Sequence, residues 1–133
     1  MSDIAFEITR WEESSYGEGD ALYERRADGP PFARVQMAKR YSGELVADAV
    51  GEVQTCGQEG YLATERIAGT LAGRSGTFAL QHGATHDAAG EPIQFGWIVA
   101  DSATGELEGL RGEALISHGE LRLTWELPAA SGG

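Results

Sequence analysis

Residues 61–85, YLATERIAGTLAGRSGTFALQHGAT, consist of two segments with alternating side chains around a short connection that contains glycine. Alternation with a period of two residues is typical of a β-strand that buries one face. The connection at Ala72–Arg74 is short enough for a hairpin turn. We therefore predict an antiparallel hairpin whose strands are Tyr61–Leu71 and Ser75–Thr85.

The same alternation extends in both directions from this hairpin. It predicts further strands at Ile4–Trp11, Ala33–Tyr41, Leu45–Cys56, Ile93–Ala100, Leu107–Ser117 and Leu121–Leu127. Nineteen glycines, only four prolines and weak helical periodicity favour short strands joined by tight turns. Eight such strands fit a sandwich or a barrel. Because closure removes exposed sheet edges, we predict an all-β fold: an eight-stranded antiparallel up-and-down barrel.

The chain length predicts a single domain. A chain of 133 residues is close to the usual size of one domain, so residues 1–133 are expected to share one core. Residues 13–32 are rich in Gly, Asp, Glu and Pro and have no period, which predicts a long loop and a candidate lid over one end. Residues 128–133 are expected to form a frayed tail.

Charge and composition indicate which kinds of partner and which cellular compartment to expect. A net charge of −11 without a Lys/Arg stripe argues against binding to nucleic acid or to an anionic membrane. No apolar run approaches the roughly 18 residues of a membrane helix, and the N-terminus lacks the features of a secretory signal. Cys56 is the single cysteine, which excludes an internal disulfide. We therefore expect a cytoplasmic protein.

Alternate side chains of a barrel strand point inward, so the more apolar face of each predicted strand is assigned to the interior. This assignment places three ionisable side chains inside, namely Lys39, Glu65 and His82. It also places five aromatic side chains inside, namely Tyr41, Tyr61, Phe78, Phe95 and Trp97. Leu62 and Ile98 are predicted to face outward. Apolar side chains on the outer surface are compatible with a homo-oligomer, which the sequence does not decide.

Glu65 is the candidate general acid or base of this predicted interior. A carboxylate beside apolar walls has a raised pKa unless a cation pairs with it, and it could then exchange protons near neutral pH. His82 and Lys39 are the other candidate catalytic residues, and the five aromatic residues are the candidate substrate-binding residues. The alternative interpretation is a buried Glu65–Lys39 ion pair that fixes the strand register without any chemistry.

We expect neither a metal ion nor a cofactor. His82 and His86 are four positions apart, which on a strand is roughly 13 Å at about 3.3 Å per residue, too far for one ion. Residues 69–76 contain the glycines of a phosphate loop but lack its Lys-Ser/Thr ending, so a hairpin is the better interpretation.

Three blocks of the chain resemble signatures of the DUF3224 family. The central block is ERIAGTLAGRSGTFALQH at residues 65–82, and the others are TGELEGLRGE at 104–113 and KRYSGEL at 39–45. The resemblance implies an allene-oxide-cyclase-like barrel of the calycin-like kind. Proteins with that fold include cyclases that shape a reactive apolar intermediate, whereas the family itself implies no activity.

Three functions from different classes are consistent with these observations. The first is a small-molecule isomerase or cyclase that acts on an apolar, polyketide-like intermediate inside the barrel, with Glu65 as the general acid or base. The second is a lipocalin-like carrier that holds an apolar small-molecule ligand unchanged. The third is a filled structural barrel. Eight strands leave room for one small ligand at most, and the sequence leaves open whether the protein is an enzyme.

Overall fold

A computed structural model describes residues 3–15 and 29–128 of the chain. These residues form the strands β1 (Ile4–Ser15), β2 (Phe32–Gly43), β3 (Leu45–Cys56), β4 (Gly60–Leu71), β5 (Arg74–His86), β6 (Pro92–Ile98), β7 (Arg111–Ser117) and β8 (Glu120–Glu126). Each strand pairs antiparallel with the next, and β8 pairs with β1, so the sheet closes on itself. The predicted eight-stranded antiparallel up-and-down barrel is confirmed. The described residues contain no helix that is long and apolar enough to cross a membrane.

Both ends of the predicted loop at residues 13–32 are strand instead. β1 continues to Ser15 and β2 begins at Phe32, because the two strands keep pairing as far as Ser15↔Ala33. The rest of that loop, and with it the predicted lid, falls mainly on residues 16–28, which lie outside the described residues. Residues 129–133 of the predicted tail also lie outside them.

The predicted start of the seventh strand at Leu107 is wrong, since β7 begins at Arg111. A short 3-10 turn occupies Gly105–Leu107. Gly105 and Gly109 have φ angles of 65° and 89°, and this left-handed conformation interrupts an extended chain. The leucines of this segment turn into the barrel, where Leu107 is almost fully buried at 1% exposure.

The strands of the barrel fall into two length classes, so one side of its wall extends further than the other. β1 to β4 have 12 residues each and β5 has 13, whereas β6, β7 and β8 have 7 each. Within the described residues, β1 pairs with β8 only at Ile4 and Ala5, near the start of β1. The later part of β1 and the first part of β6 therefore extend beyond the β7–β8 hairpin. The barrel is closed at one end and open at the other.

The closed end is filled by an apolar core. Its largest fully buried aliphatic and aromatic side chains include Leu45, Ile67, Leu71, Phe78, Leu107, Leu110 and Leu121. Burial of each such side chain contributes about 1.5–3 kcal/mol. Toward the open end this core gives way to a layer of buried ionisable groups, and beyond that layer lies a smaller apolar cluster of Val35, Met37, Val53 and Ala63.

Candidate functional site

Three ionisable side chains from different strands meet between the two apolar clusters. Lys39 of β2, Glu65 of β4 and His82 of β5 are 4%, 0% and 4% exposed. Lys39 Nζ lies 2.8 Å from Glu65 Oε2, and His82 Nε2 lies 2.5 Å from the same oxygen. The Tyr41 hydroxyl donates to Glu65 Oε1 at 2.6 Å. Glu65 therefore accepts three hydrogen bonds, and we call these four residues the buried cluster.

Small residues on β3 give the buried cluster its space. The inner face of β3 carries Ala47, Ala49 and Gly51 in sequence, and Gly51 lies opposite Glu65 in the β3–β4 register. A Cβ atom at Gly51 would lie 2.5 Å from the carbonyl oxygen of Thr64 and 3.2 Å from Glu65 Cγ. Only glycine at this position lets the two strands approach while Glu65 points inward.

The neighbours of Glu65 decide its charge. Burial by itself raises the pKa of this carboxyl, as the sequence-based expectation assumed. The hydrogen bond from His82 and the positive charge of Lys39 act in the opposite direction and prevail, so the pKa of Glu65 falls to about 2. The carboxylate is ionised at neutral pH, so it holds no proton to donate as a general acid, and with so low a pKa it is only a weak general base. The geometry contains the buried Glu65–Lys39 ion pair of the alternative interpretation.

The two tyrosines of the interior remain protonated. Burial, followed by the charge and the hydrogen bond of Glu65, raises the pKa of Tyr41 far above its usual value. Burial and then the charge of Glu65 also raise the pKa of Tyr61. Both phenols are therefore available as hydrogen-bond donors at neutral pH.

His82 connects Glu65 to the half-buried Tyr61. An ionised carboxylate only accepts hydrogen bonds, so the Nε2 atom of His82 must carry the hydrogen that it shares with Glu65. The other ring nitrogen, Nδ1, lies 3.1 Å from the Tyr61 hydroxyl oxygen. This contact fits either a neutral ring that accepts from Tyr61 or a protonated ring that donates to it. Glu65, His82 and Tyr61 thus form a continuous chain of hydrogen bonds.

This chain ends at a cavity of about 480 Å³ at the open end of the barrel. Lys39, Tyr61 and His82 lie at the inner end of the cavity, which we call its floor. Its walls are mainly apolar and include Phe6, Ile8, Trp11, Met37, Val53 and Ile116. The volume lies in the range of sites for small molecules. The barrel is therefore filled at its closed end and hollow at its open end.

The predicted interior positions of Phe95 and Trp97 are wrong. Both side chains lie on the outer face of β6, where they are 40% and 58% exposed. The inward residues of this strand are Gly96 and Ile98, and Ile98, predicted to face outward, is only 5% exposed. Leu62, predicted to face outward, is 55% exposed.

The close approach of neighbouring groups explains the inward position of Gly96. His82 lies opposite Gly96 in the β5–β6 register. A Cβ atom at Gly96 would lie 3.0 Å from His82 Cβ and 2.1 Å from the carbonyl oxygen of Ala114. The space that an aromatic side chain would need is therefore taken by the Cβ atom of His82 and by the β7 backbone.

Replacement of Gly96 by alanine is expected to destabilise the protein by about 1–3 kcal/mol, because the added methyl group forces β6 away from β7. Urea denaturation measures the effect. Gly60→Ala is the matched control, since a Cβ atom there would meet its nearest neighbour at an ordinary 3.6 Å. Equal destabilisation by the two substitutions would contradict this explanation.

The other predicted substrate-binding residues fall into two groups. Among the described residues that line the cavity, Tyr61 is the one aromatic member of the predicted set. Tyr41 holds Glu65 from the side of the core, and Phe78 is buried in the core at the closed end. Neither belongs to the cavity lining.

Sequence reasoning missed the contribution of β1 to the cavity. Phe6 and Ile8 share a face, and the Phe6 ring lies 4.3 Å from Lys39 Nζ in a cation–π contact. A register shift between Ile8 and Arg10 inserts one residue, so that Trp11 lies opposite Met37 and lines the cavity. Alternation in β1 was a usable signal for Phe6 and Ile8, whereas nothing in the sequence marked the bulge.

The fold and the site define a class: a closed up-and-down β-barrel with a buried lysine–glutamate–histidine cluster beneath a cavity at its open end. The family model "Protein of unknown function (DUF3224)" matches residues 4–126, and the chain belongs to this family. The resemblance seen in the sequence blocks is thereby confirmed.

A solved structure supports the same assignment. It is the crystal structure at 1.84 Å resolution of a protein with unknown function from the DUF3224 family, from Shewanella oneidensis MR-1. The two chains are 28% identical and superpose with a TM-score of 0.72, over 97% of this chain and 96% of the other. No curated protein matches the chain.

Proposed function

We propose that this protein is a small-molecule isomerase or cyclase that acts on an apolar substrate in the cavity at the open end of the barrel. The observation that carries the proposal is the chain of hydrogen bonds from Glu65 through His82 to Tyr61, which ends at the cavity. A purely structural ion pair would need Lys39 and Glu65 alone. The addition of an imidazole and a phenol that reach the cavity supplies a route for a proton.

The chain has the order carboxylate, imidazole, hydroxyl, which is the order of the groups in a hydrolase triad. Here the hydroxyl is a phenol, and the reaction that it favours is removal and return of a substrate proton. When Tyr61 takes a proton from the substrate, its own proton passes to Nδ1 of His82. The positive charge that forms on the imidazole is stabilised by the ionised Glu65. Glu65 acts as a positioning residue in this scheme.

The raised pKa of Tyr61 determines how the proton moves. A free phenolate is not populated at neutral pH, because burial and the charge of Glu65 both oppose it. Transfer from the substrate to Tyr61 and from Tyr61 to His82 must therefore occur together. Lys39 contributes a positive charge at the same floor, where it stabilises negative charge that develops on a substrate oxygen.

The shape and lining of the cavity support an apolar substrate. Its walls are mainly aliphatic and aromatic, and a folded, polyketide-like molecule fits about 480 Å³. The allene-oxide-cyclase-like barrel that the family resemblance implies favours isomerisation or cyclisation over hydrolysis, as an analogy at the level of the fold.

The second candidate function is a carrier that holds an apolar ligand unchanged. It is favoured by the low exposure of Lys39 and His82, which are each 4% exposed beneath the cavity. Native mass spectrometry of freshly purified protein, followed by analysis of the released molecule, separates the two functions. An enzyme converts the released or added molecule, whereas a carrier returns it unchanged.

Tyr61→Phe is expected to slow turnover about 100-fold or more, because it removes the hydroxyl that exchanges a proton with the substrate. The phenyl ring remains, so folding and the shape of the cavity are preserved. Turnover of the apolar small molecules extracted from host cells is measured by liquid chromatography and mass spectrometry. Leu62→Ala, on the outer face of the same strand, is the control. Conversion by Tyr61→Phe at the wild-type rate would refute the proton route.

A further inference from the structure

The floor of the cavity offers hydrogen-bond donors to a ligand. Lys39 lines the cavity with an ammonium group that has three N–H bonds, of which one is donated to Glu65. The one carboxylate of the buried cluster is 0% exposed, and its two oxygens already accept three hydrogen bonds. A ligand that reaches this floor therefore binds through an acceptor atom, for which oxygen is the usual choice.

The charge balance of the floor favours a neutral acceptor. The positive charge of Lys39 is compensated by the carboxylate of Glu65 at 2.8 Å. The floor therefore has no uncompensated positive charge that would favour an anionic ligand. At the rim of the cavity, His86 Nδ1 lies 3.4 Å from Glu59 Oε2, so this ring also has an acidic neighbour. The chain as a whole carries a net charge of −11, which repels anions that approach the open end. A carbonyl group accepts a hydrogen bond from Lys39 without adding charge.

We infer that the substrate is a neutral, apolar, β,γ-unsaturated ketone, whose carbonyl oxygen binds Lys39 and whose acidic C–H bond faces Tyr61. This inference rests on the proposed isomerase function and names the substrate class of the same site. A ketone has three properties that match the site. Its apolar body matches the walls, its one acceptor oxygen matches Lys39, and the proton that becomes acidic when this oxygen is stabilised matches Tyr61.

The step is a proton transfer and needs no further reactant. The C–H bond between the carbonyl and the double bond breaks, and its proton goes to the Tyr61 oxygen while the phenol proton goes to His82 Nδ1. The electron pair forms a new carbon–carbon double bond and moves the carbonyl π pair onto the oxygen beside Lys39. Return of a proton to the far carbon regenerates the carbonyl, and the product is the conjugated ketone. Tyr61 and His82 end in their starting states.

Three probes with the same apolar chain test the substrate class. They are the ketone non-4-en-2-one, the hydrocarbon 4-nonene and the carboxylate oct-3-enoate. Binding is measured by changes in the amide NMR spectrum, and conversion by the ultraviolet absorbance of the conjugated ketone and by deuterium uptake in heavy water. The ketone is expected to bind about tenfold more tightly than the hydrocarbon, and the carboxylate more weakly than the ketone.

Variants assign the binding and the chemistry to separate residues. Lys39→Met is expected to remove the preference for the ketone, whereas Arg40→Met, at the exposed neighbouring position, is expected to retain it. Lys39→Arg is the second variant if loss of the buried charge prevents folding, and it is expected to keep part of the preference. Tyr61→Phe is expected to keep ketone binding and to slow conversion about 100-fold.

The outcomes separate this inference from the proposed function. Equal binding of ketone and hydrocarbon, or tighter binding of the carboxylate, would overturn the substrate class. Preferred binding of the ketone through Lys39 without conversion or deuterium uptake would overturn the isomerase function instead. Preferred binding together with conversion that depends on Tyr61 supports both.

Discussion

Glu65→Gln is expected to destabilise the barrel by about 3–5 kcal/mol, the usual cost of removing one partner from a buried ion pair. The substitution keeps the size of the side chain and therefore creates no cavity. It removes the negative charge that compensates Lys39, and it places an NH₂ group among the donors of Lys39, His82 and Tyr41. Urea denaturation followed by circular dichroism measures the loss.

Glu52→Gln is the matched control for this experiment. Glu52 lies on the neighbouring strand β3, opposite Thr64, and its side chain is exposed. A neutral substitution of an exposed carboxylate is expected to change stability by no more than about 0.5 kcal/mol. If Glu65→Gln changes stability as little as Glu52→Gln, the buried cluster does not stabilise the fold as described.

A double variant separates the charge of the pair from its packing. Lys39→Met combined with Glu65→Gln removes both charges, so neither is left buried without a partner. The double variant is expected to be more stable than the sum of the two single losses predicts, by about 1 kcal/mol or more. Simple additivity would show that the two groups do not interact.

Acidification is expected to remove a few kcal/mol of stability between about pH 5 and pH 2, largely through Glu65. The pKa of this carboxyl is about 2 in the folded protein against an ordinary value of 4.5. A group whose pKa is lowered by folding stabilises the fold above its unfolded pKa. That contribution is lost as the pH falls toward the folded value, because the unfolded chain takes up the proton first.

Denaturation curves recorded at about pH 6, 4 and 3 test this expectation. The wild-type protein is expected to lose stability more steeply over this range than Glu65→Gln, which has no carboxyl to protonate at this position. The remaining acidic residues are common to both proteins and therefore cancel in the comparison. Parallel loss in the two proteins would contradict a lowered pKa at Glu65.

The strands of the barrel were predictable because alternation acts within each strand, and closure was predicted because it removes the exposed edges of the sheet. Side chains two apart share a face, so the hairpin at residues 61–85 fixes the pattern that the other strands repeat. The inward positions of Lys39, Glu65 and His82 follow from the same rule. No information from distant parts of the chain is needed for these assignments.

The faces of β6 and β1 depend on contacts that the sequence does not show. In the sequence, the aromatic residues of β6 form its more apolar face, but the close approach of the β7 backbone at Gly96 excludes them from the interior. The bulge in β1 moves Trp11 onto the cavity side, because one inserted residue reverses the alternation. Both effects arise from the register between strands.

The charge of Glu65 was not predictable for a similar reason. Burial alone argues for a raised pKa, and the sequence reveals burial through alternation. The opposing effect requires His82 and Lys39 to reach the same carboxylate oxygen, which depends on three strands in register. For this reason the proposed proton route assigns the proton transfer to His82 and Tyr61 and a positioning role to Glu65.

The most direct test of this account is the titration of the Glu65 carboxyl carbon by ¹³C NMR, with Glu65→Gln used to assign the signal. We expect the signal to keep the chemical shift of an ionised carboxylate from neutral pH down to about pH 3, in accord with a pKa of about 2. A signal that titrates at or above the ordinary value of 4.5 would contradict the buried, ionised carboxylate on which the proposed proton route depends.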